Sequence, residues 1–226
     1  MDDFFKSRMR VVGAVTIIIV AVFVILLIFV QYREKKNTAL RLRMFYSDMS
    51  QALQYAKNLN GPPGDWGWVP GYKNIDLINS NLSNYMKVSE NCTKQHGACM
   101  PEANYKSVNG KTTTVNLYQL PAIKLQNGIS FAIETVSNCQ KQGSTCAVVY
   151  VDLNSIEPPN AFGKDLFVFL IINSNSAAFI PYNSRLPGFA LAGDEKYGCN
   201  KKADIAMYCS ALIFTNGWSI DRTYPW

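Results

Sequence analysis

The chain predicts an α+β fold: a long N-terminal helix, transmembrane in its first half and amphipathic in its second, packed on an antiparallel β-meander with a disulfide-closed C-terminal flap. Three observations predict it. Residues 11–30 (VVGAVTIIIVAVFVILLIFV) hold no charge and no proline, and only Thr16 is polar, which gives the length a helix needs to cross a bilayer's hydrocarbon core. Residues 31–57 contain neither Gly nor Pro, so nothing local ends the helix at the lipid surface. From residue 115 onward, helical spacing gives way to short alternating runs, two of which flank Asn127-Gly128, a strong hairpin signal.

Beyond the apolar run the pattern narrows to a stripe. Leu42, Phe45, Met49, Ala52, Leu53, Ala56 and Leu59 recur at three- and four-residue steps, whereas Arg41, Arg43, Asp48, Gln51, Gln54 and Lys57 take the other side. One face of this half therefore needs burial. Asn60-Gly61-Pro62-Pro63 ends it, a cap able to take positive φ followed by prolines that cannot continue a helix. The expected organisation is a short cytoplasmic segment (1–10), a transmembrane helix (11–30), its amphipathic continuation (31–60) and one extracytoplasmic head (61–226), a size that suits a single compact domain.

Residues 61–71 (GPPGDWGWVPG) exclude helix and central strand by their glycines and prolines, and Trp66 and Trp68 are expected to pack this loop onto the head. Ile75, Ile78, Leu82 and Tyr85 predict a short helix over 74–87. Strands are expected at 115–120, 122–126, 129–135, 145–153, 166–172 and 177–180. The run LFVFLII is nearly all apolar, as in a strand covered on both faces. The amphipathic stripe is the available cover for the sheet. The tail from 188 is read as a cross-linked flap with Trp226 packed.

The formal charge of +6 is concentrated at the membrane, with +5 in residues 1–43 and +1 in 44–226. Basic residues flank both sides of the span, which suits anionic lipid better than nucleic acid, and their balance leaves the positive-inside rule undecided. Cysteine usage decides orientation instead. Cys92 and Cys99, Cys139 and Cys146, and Cys199 and Cys209 form three close pairs. Six cysteines allow fifteen connectivities, of which local closure of three short loops is the simplest. Such cross-links persist outside a reducing cytosol, so the N-terminus is expected inside and the head outside. A zinc site wants Cys-x-x-Cys or several histidines, and His96 is the only histidine. The apolar run is too long for a secretory h-region and lacks a following A-x-A site.

Little supports catalysis. The sequence has no Gly-x-Ser-x-Gly, His-Glu-x-x-His, phosphate loop or Cys-x-x-Cys, and no small-molecule substrate suggests itself. The densest polar constellation is Asp152, Asn154, Glu157, Asn160 and Asp165, in one inter-strand connection. Oxygen-rich loops are what calcium requires; the same residues also build Asx turns, with side chains bonded to backbone, and that reading is preferred here.

Local wording adds a resemblance. Tyr46-Ser47-x-x-Ser50-Gln51-Ala52 on the helix, Asn60-Gly61-Pro62 and Asp65-Trp66 after it, Asp152-x-Asn154 with Pro159-Asn160-x-x-Gly163-Lys164-Asp165-x-Phe167, and Asn216-Gly217-Trp218 with Tyr224-Pro225-Trp226 resemble a subgroup of the type IV pilin and pseudopilin superfamily. That resemblance implies a filament subunit of a type IV pilus or a type II secretion-type system, meeting membrane lipid and like or related subunits through its N-terminal helix, with Leu42, Phe45, Met49, Leu53 and Ala56 as the stalk and assembly face. Some pseudopilins are calcium-stabilised, which would assign Asp152, Asn154, Asn160 and Asp165 to a cation. The family's processing site would fall at Gly13 and Ala14. Its usual Glu at the fifth mature position is absent, since Ile18 stands there. The chain is thus either a subunit that assembles without that carboxylate or a tethered ectodomain, an adhesin or sensor, that does not polymerise.

Overall fold

In the computed structural model, residues 2–68, 82–92, 99–136, 139–176 and 178–226 are described. Helix α1 runs Asp2–Asn60, as the lack of breakers requires. It ends where expected: Gly61 takes φ +77 and its N–H donates to the Lys57 carbonyl at 2.9 Å, a glycine closing the last turn in a conformation a Cβ would resist.

The chain divides into two compact units, Met1–Asn37 and Thr38–Trp226. The second begins inside the helix, not at residue 61, because the helix's amphipathic half is part of the head's own core. In the first unit, the apolar side chains Val15 and Ile17 to Ile19 are 49–71% exposed, and the helix is long and apolar enough to cross a membrane.

The second unit is built on a six-stranded antiparallel meander in sequential order: β1 (Val88–Asn91), β2 (Ala122–Leu125), β3 (Ser130–Thr135), β4 (Thr145–Asp152), β5 (Leu166–Ile172) and β6 (Phe179–Pro181). Asn127-Gly128 makes the β2–β3 turn, with Gly128 at φ +79. Two short helices follow, α2 (Gly188–Gly193) and α3 (Cys209–Thr215), inside the tail that the sequence reads as an irregular flap.

Residues 115–120 are not a strand. Pro121 follows them, and their polar groups serve a turn: the Val115 carbonyl accepts the Tyr105 N–H at 2.9 Å and Asn116 Oδ1 accepts the Tyr118 N–H at 3.0 Å. Strand β1 is the one the sequence does not announce. The helix expected over 74–87 falls largely outside the described residues; inside them, Ser83–Tyr85 is a single 3-10 turn. His96 and Ala177 also lie outside.

Burial explains why these elements stay together. Leu42, Phe45 and Met49 are fully buried, with Leu53 and Ala56 beside them, whereas Leu59 is 73% exposed and is not part of the stripe. The Phe45 ring lies 5.6 Å from Phe131, 6.4 Å from Phe169 and 6.2 Å from Phe179. One aromatic side chain of the helix thus touches three strands, and each large side chain buried this way contributes about 1.5–3 kcal/mol. Strand β5 is buried on both faces, as its unbroken apolar run requires. Trp66 is buried and stacks on Trp68 at 6.0 Å, and its indole N–H donates to the Gly61 carbonyl at 2.9 Å, so the loop after the helix is held by its indoles. Phe45→Ala is expected to cost about 3–5 kcal/mol in denaturant unfolding of the full chain, and Leu59→Ala less than about 0.5 kcal/mol.

Candidate functional site

The three cysteine pairs close as the spacing implies: Cys92–Cys99, Cys139–Cys146 and Cys199–Cys209. Their Cα atoms are 6.0, 4.7 and 4.7 Å apart, within the span such bonds use. No described cysteine is free, which suits a head in an oxidising compartment.

The predicted oxygen-rich loop connects the end of β4 to the start of β5, and the structure brings its carboxylates together with a residue the sequence reading missed, Tyr105. Asp152 is fully buried. Its Oδ2 accepts the Tyr105 hydroxyl at 2.6 Å, and its Oδ1 accepts the Asn154 N–H at 3.1 Å. Asp165 clamps the far side of the loop, accepting the N–H groups of Asn160 at 2.7 Å and Ala161 at 2.6 Å. Asn154 Nδ2 donates to the Pro158 carbonyl at 3.1 Å. Ser155 and Asn160 sit at φ 65 and 52, a region in which short polar residues are tolerated. No motif announces Tyr105, because it lies in a segment without periodicity.

This is the geometry of Asx turns, and it does not fit a calcium site well. The carboxylate oxygens that a hard cation would need already accept directed N–H and O–H donors. Among the described residues no group of three or more His, Cys, Asp or Glu is placed to hold a metal. Asn154 Oδ1 and Asn160 Oδ1 are buried without a hydrogen-bond partner, the two acceptors this loop leaves open beside carboxylates that are already engaged.

Electrostatics follow from burial. Desolvation raises the Asp152 carboxyl well above the usual carboxylate range, with the Asp165 charge pushing the same way, while the bonds from Tyr105 and Asn154 oppose it. Burial also raises Asp165, against the lowering effect of its backbone donors. The Tyr105 phenol is raised by burial and then by Asp152, so it stays protonated and acts as donor. These groups order the loop through the bonds they make to one another and to its backbone.

The stalk residues have a different place from the one the pilin resemblance assigns. Leu42, Phe45, Met49, Leu53 and Ala56 are consumed by the chain's own sheet and cannot also meet a neighbouring subunit. What the helix leaves outside is a mixed face: Leu40, Met44, Tyr55 and Leu59, each 50–73% exposed, fall within an arc of roughly 100° at 3.6 residues per turn, interleaved with the exposed polar side chains of Asp48, Gln51 and Asn58. Gly13 lies within α1 with no atom near enough to contact an added Cβ, and Ala14 follows it in the same helix.

The features together define an α+β protein with a helix capable of spanning a membrane and a disulfide-linked head. The chain belongs to the family of unknown function DUF6613, whose family model matches residues 28–226. No curated protein and no solved structure matches it.

Two outcomes test the loop. Because the folded carboxyls are raised, their protonation favours the fold at low pH, and that contribution is lost as pH climbs through the folded pKa. The wild-type melting temperature is expected to fall as pH rises above the ordinary carboxylate range, and Asp152→Asn, whose Oδ1 keeps the Asn154 N–H while its Nδ2 donates to the Tyr105 oxygen, is expected to flatten that fall in thermal melts across pH. Calcium against EDTA is expected to leave the melting temperature unchanged; a calcium-dependent rise would place a cation among these oxygens.

Proposed function

We propose that the chain is a pilin-like membrane protein, a subunit of a type IV pilus or type II secretion-type filament, working by helix packing and surface contacts and not by turnover. The helix crosses the inner membrane with its N-terminus cytoplasmic and carries the head on the periplasmic or extracellular side. The observation that carries this reading is the exposed row Leu40, Met44, Tyr55 and Leu59, half or more exposed on a helix whose other face is already buried. Four large apolar side chains left outside, with Asp48, Gln51 and Asn58 between them, on a helix that also serves as membrane span offer a surface for another helix. The unbroken α1 and the sequential meander also support it.

A second reading rests on a specific residue. Ile18 stands where the family's assembly carboxylate belongs, which favours a tethered binding domain that does not polymerise, an adhesin or sensor. Mass spectrometry of the mature chain separates the two: a methylated terminus near Ala14 supports assembly, and an intact Met1 supports the tether. For a subunit, Leu40→Asp with Leu59→Asp is expected to abolish incorporation into filaments while moving the melting temperature of the head by less than a few degrees; filaments that still contain the double variant would overturn the assembly role of this row.

A further inference from the structure

Two sequence motifs far apart in the chain, Tyr46-Ser47-x-x-Ser50-Gln51 and Asn216-Gly217-Trp218, meet where Tyr46 and Trp218, both partly buried, pack on the edge of the core. Beside them along α1 runs a groove of about 510 Å³ whose lining includes Arg43, Tyr46, Ser47, Gln51, Gln54 and Trp218. That volume is in the range of small-ligand sites.

Its chemistry is selective. The apolar wall is aromatic: Tyr46 and Trp218 lie 5.0 Å apart, with Phe179 at 5.8 Å from Tyr46. Trp218 is fixed in place, edge-on to Phe214 at 5.4 Å, with its own N–H bonded to the Ile213 carbonyl at 2.8 Å. It is held at φ 60, a strained setting for a bulky side chain that persists only where surroundings over-determine it. The polar wall is a row of neutral hydroxyls and amides from Ser47, Ser50, Gln51, Gln54 and Ser176, and Arg43 is the one formal charge in the lining. Ser50 Oγ itself is buried without a hydrogen-bond partner, so the groups this wall offers are those of Ser47, Gln51, Gln54 and Ser176.

We propose that this groove is a binding site for an acidic saccharide, a sugar carrying a carboxylate. The C–H face of a pyranose, positively polarised, rests on the negative faces of Trp218 and Tyr46. Hydroxyl and amide side chains both donate and accept, as a sugar's vicinal hydroxyls do, so the Ser and Gln row matches them. Arg43 takes the carboxylate in a charge-assisted bond. An acidic peptide would fit less well, since its backbone offers donors and acceptors at fixed alternate positions and no C–H face for the indole. The site does not depend on whether copies of the chain assemble.

The test uses the full chain in detergent micelles and titration calorimetry with tetragalacturonate, its methyl ester, sialyllactose and triglutamate. At least one of the two acidic saccharides is expected to bind, tetragalacturonate about tenfold more tightly than its uncharged ester if it is the ligand. Arg43→Gln is expected to reduce affinity for the acidic sugar by a similar factor. Gln51→Ala with Gln54→Ala, both exposed on α1, is expected to weaken binding several-fold while moving the melting temperature by less than a few degrees. Failure of both acidic saccharides to bind, equal binding of acid and ester, or tighter binding of triglutamate overturns the proposal.

Discussion

The structure depends on the packing of one helical stripe against one sheet. Phe45 sits among Phe131, Phe169 and Phe179, so a single side chain of α1 holds β3, β5 and β6 to the same surface. A meander of short strands has no second sheet to cover its apolar face, and the helix is that cover. The compact unit for this reason starts at Thr38, within the helix, so one unbroken helix supplies both the stretch that could cross a bilayer and the stretch that covers the sheet.

At the sheet's end a polar device does what apolar packing cannot. The β4–β5 connection carries a cis Pro158-Pro159 bond and doubles back sharply, leaving backbone N–H groups with no strand to pair with. Asp165 satisfies two of them, and Asp152 a third while receiving the Tyr105 hydroxyl. The Gly163 carbonyl accepts both the Tyr224 hydroxyl at 2.8 Å and the Trp226 indole N–H at 2.6 Å, which fastens the tail to the same loop. Gly163 has φ +77, and a Cβ there would meet Cys209 Sγ at 2.6 Å, so this junction admits no side chain. Enclosed carboxyls with raised pKa here belong to loop ordering.

Much of this was legible in the sequence because strong periodicity and strong punctuation carry most of the signal. The stripe at 42–56, the stop at Gly61, the Asn127-Gly128 hairpin, the runs at 145–153 and 166–172 and the three local cysteine pairs each rest on one physical rule with little competition. The misses share a cause. Residues 115–120 alternate like a strand, yet Pro121 and the side chain of Asn116 draw them into a turn. Strand β1 alternates partly buried with exposed residues and gains its place only by pairing with β2. Leu59 continues the helical spacing, but the sheet does not reach it. Tyr105 and the meeting of Tyr46 with Trp218 depend on contacts between distant segments, which no local window contains.

Both margins of the sheet are blunt. Strand β6 is three residues long and ends in Pro181, which has no N–H to offer, and β1 is four residues long with a register shift between Val88 and Glu90. Neither margin presents the long regular ladder on which a neighbouring strand could zip. Copies of this chain brought close together are thereby protected from fusing into a shared β-structure, and an ordered association between them would be made by side chains, where it can be undone.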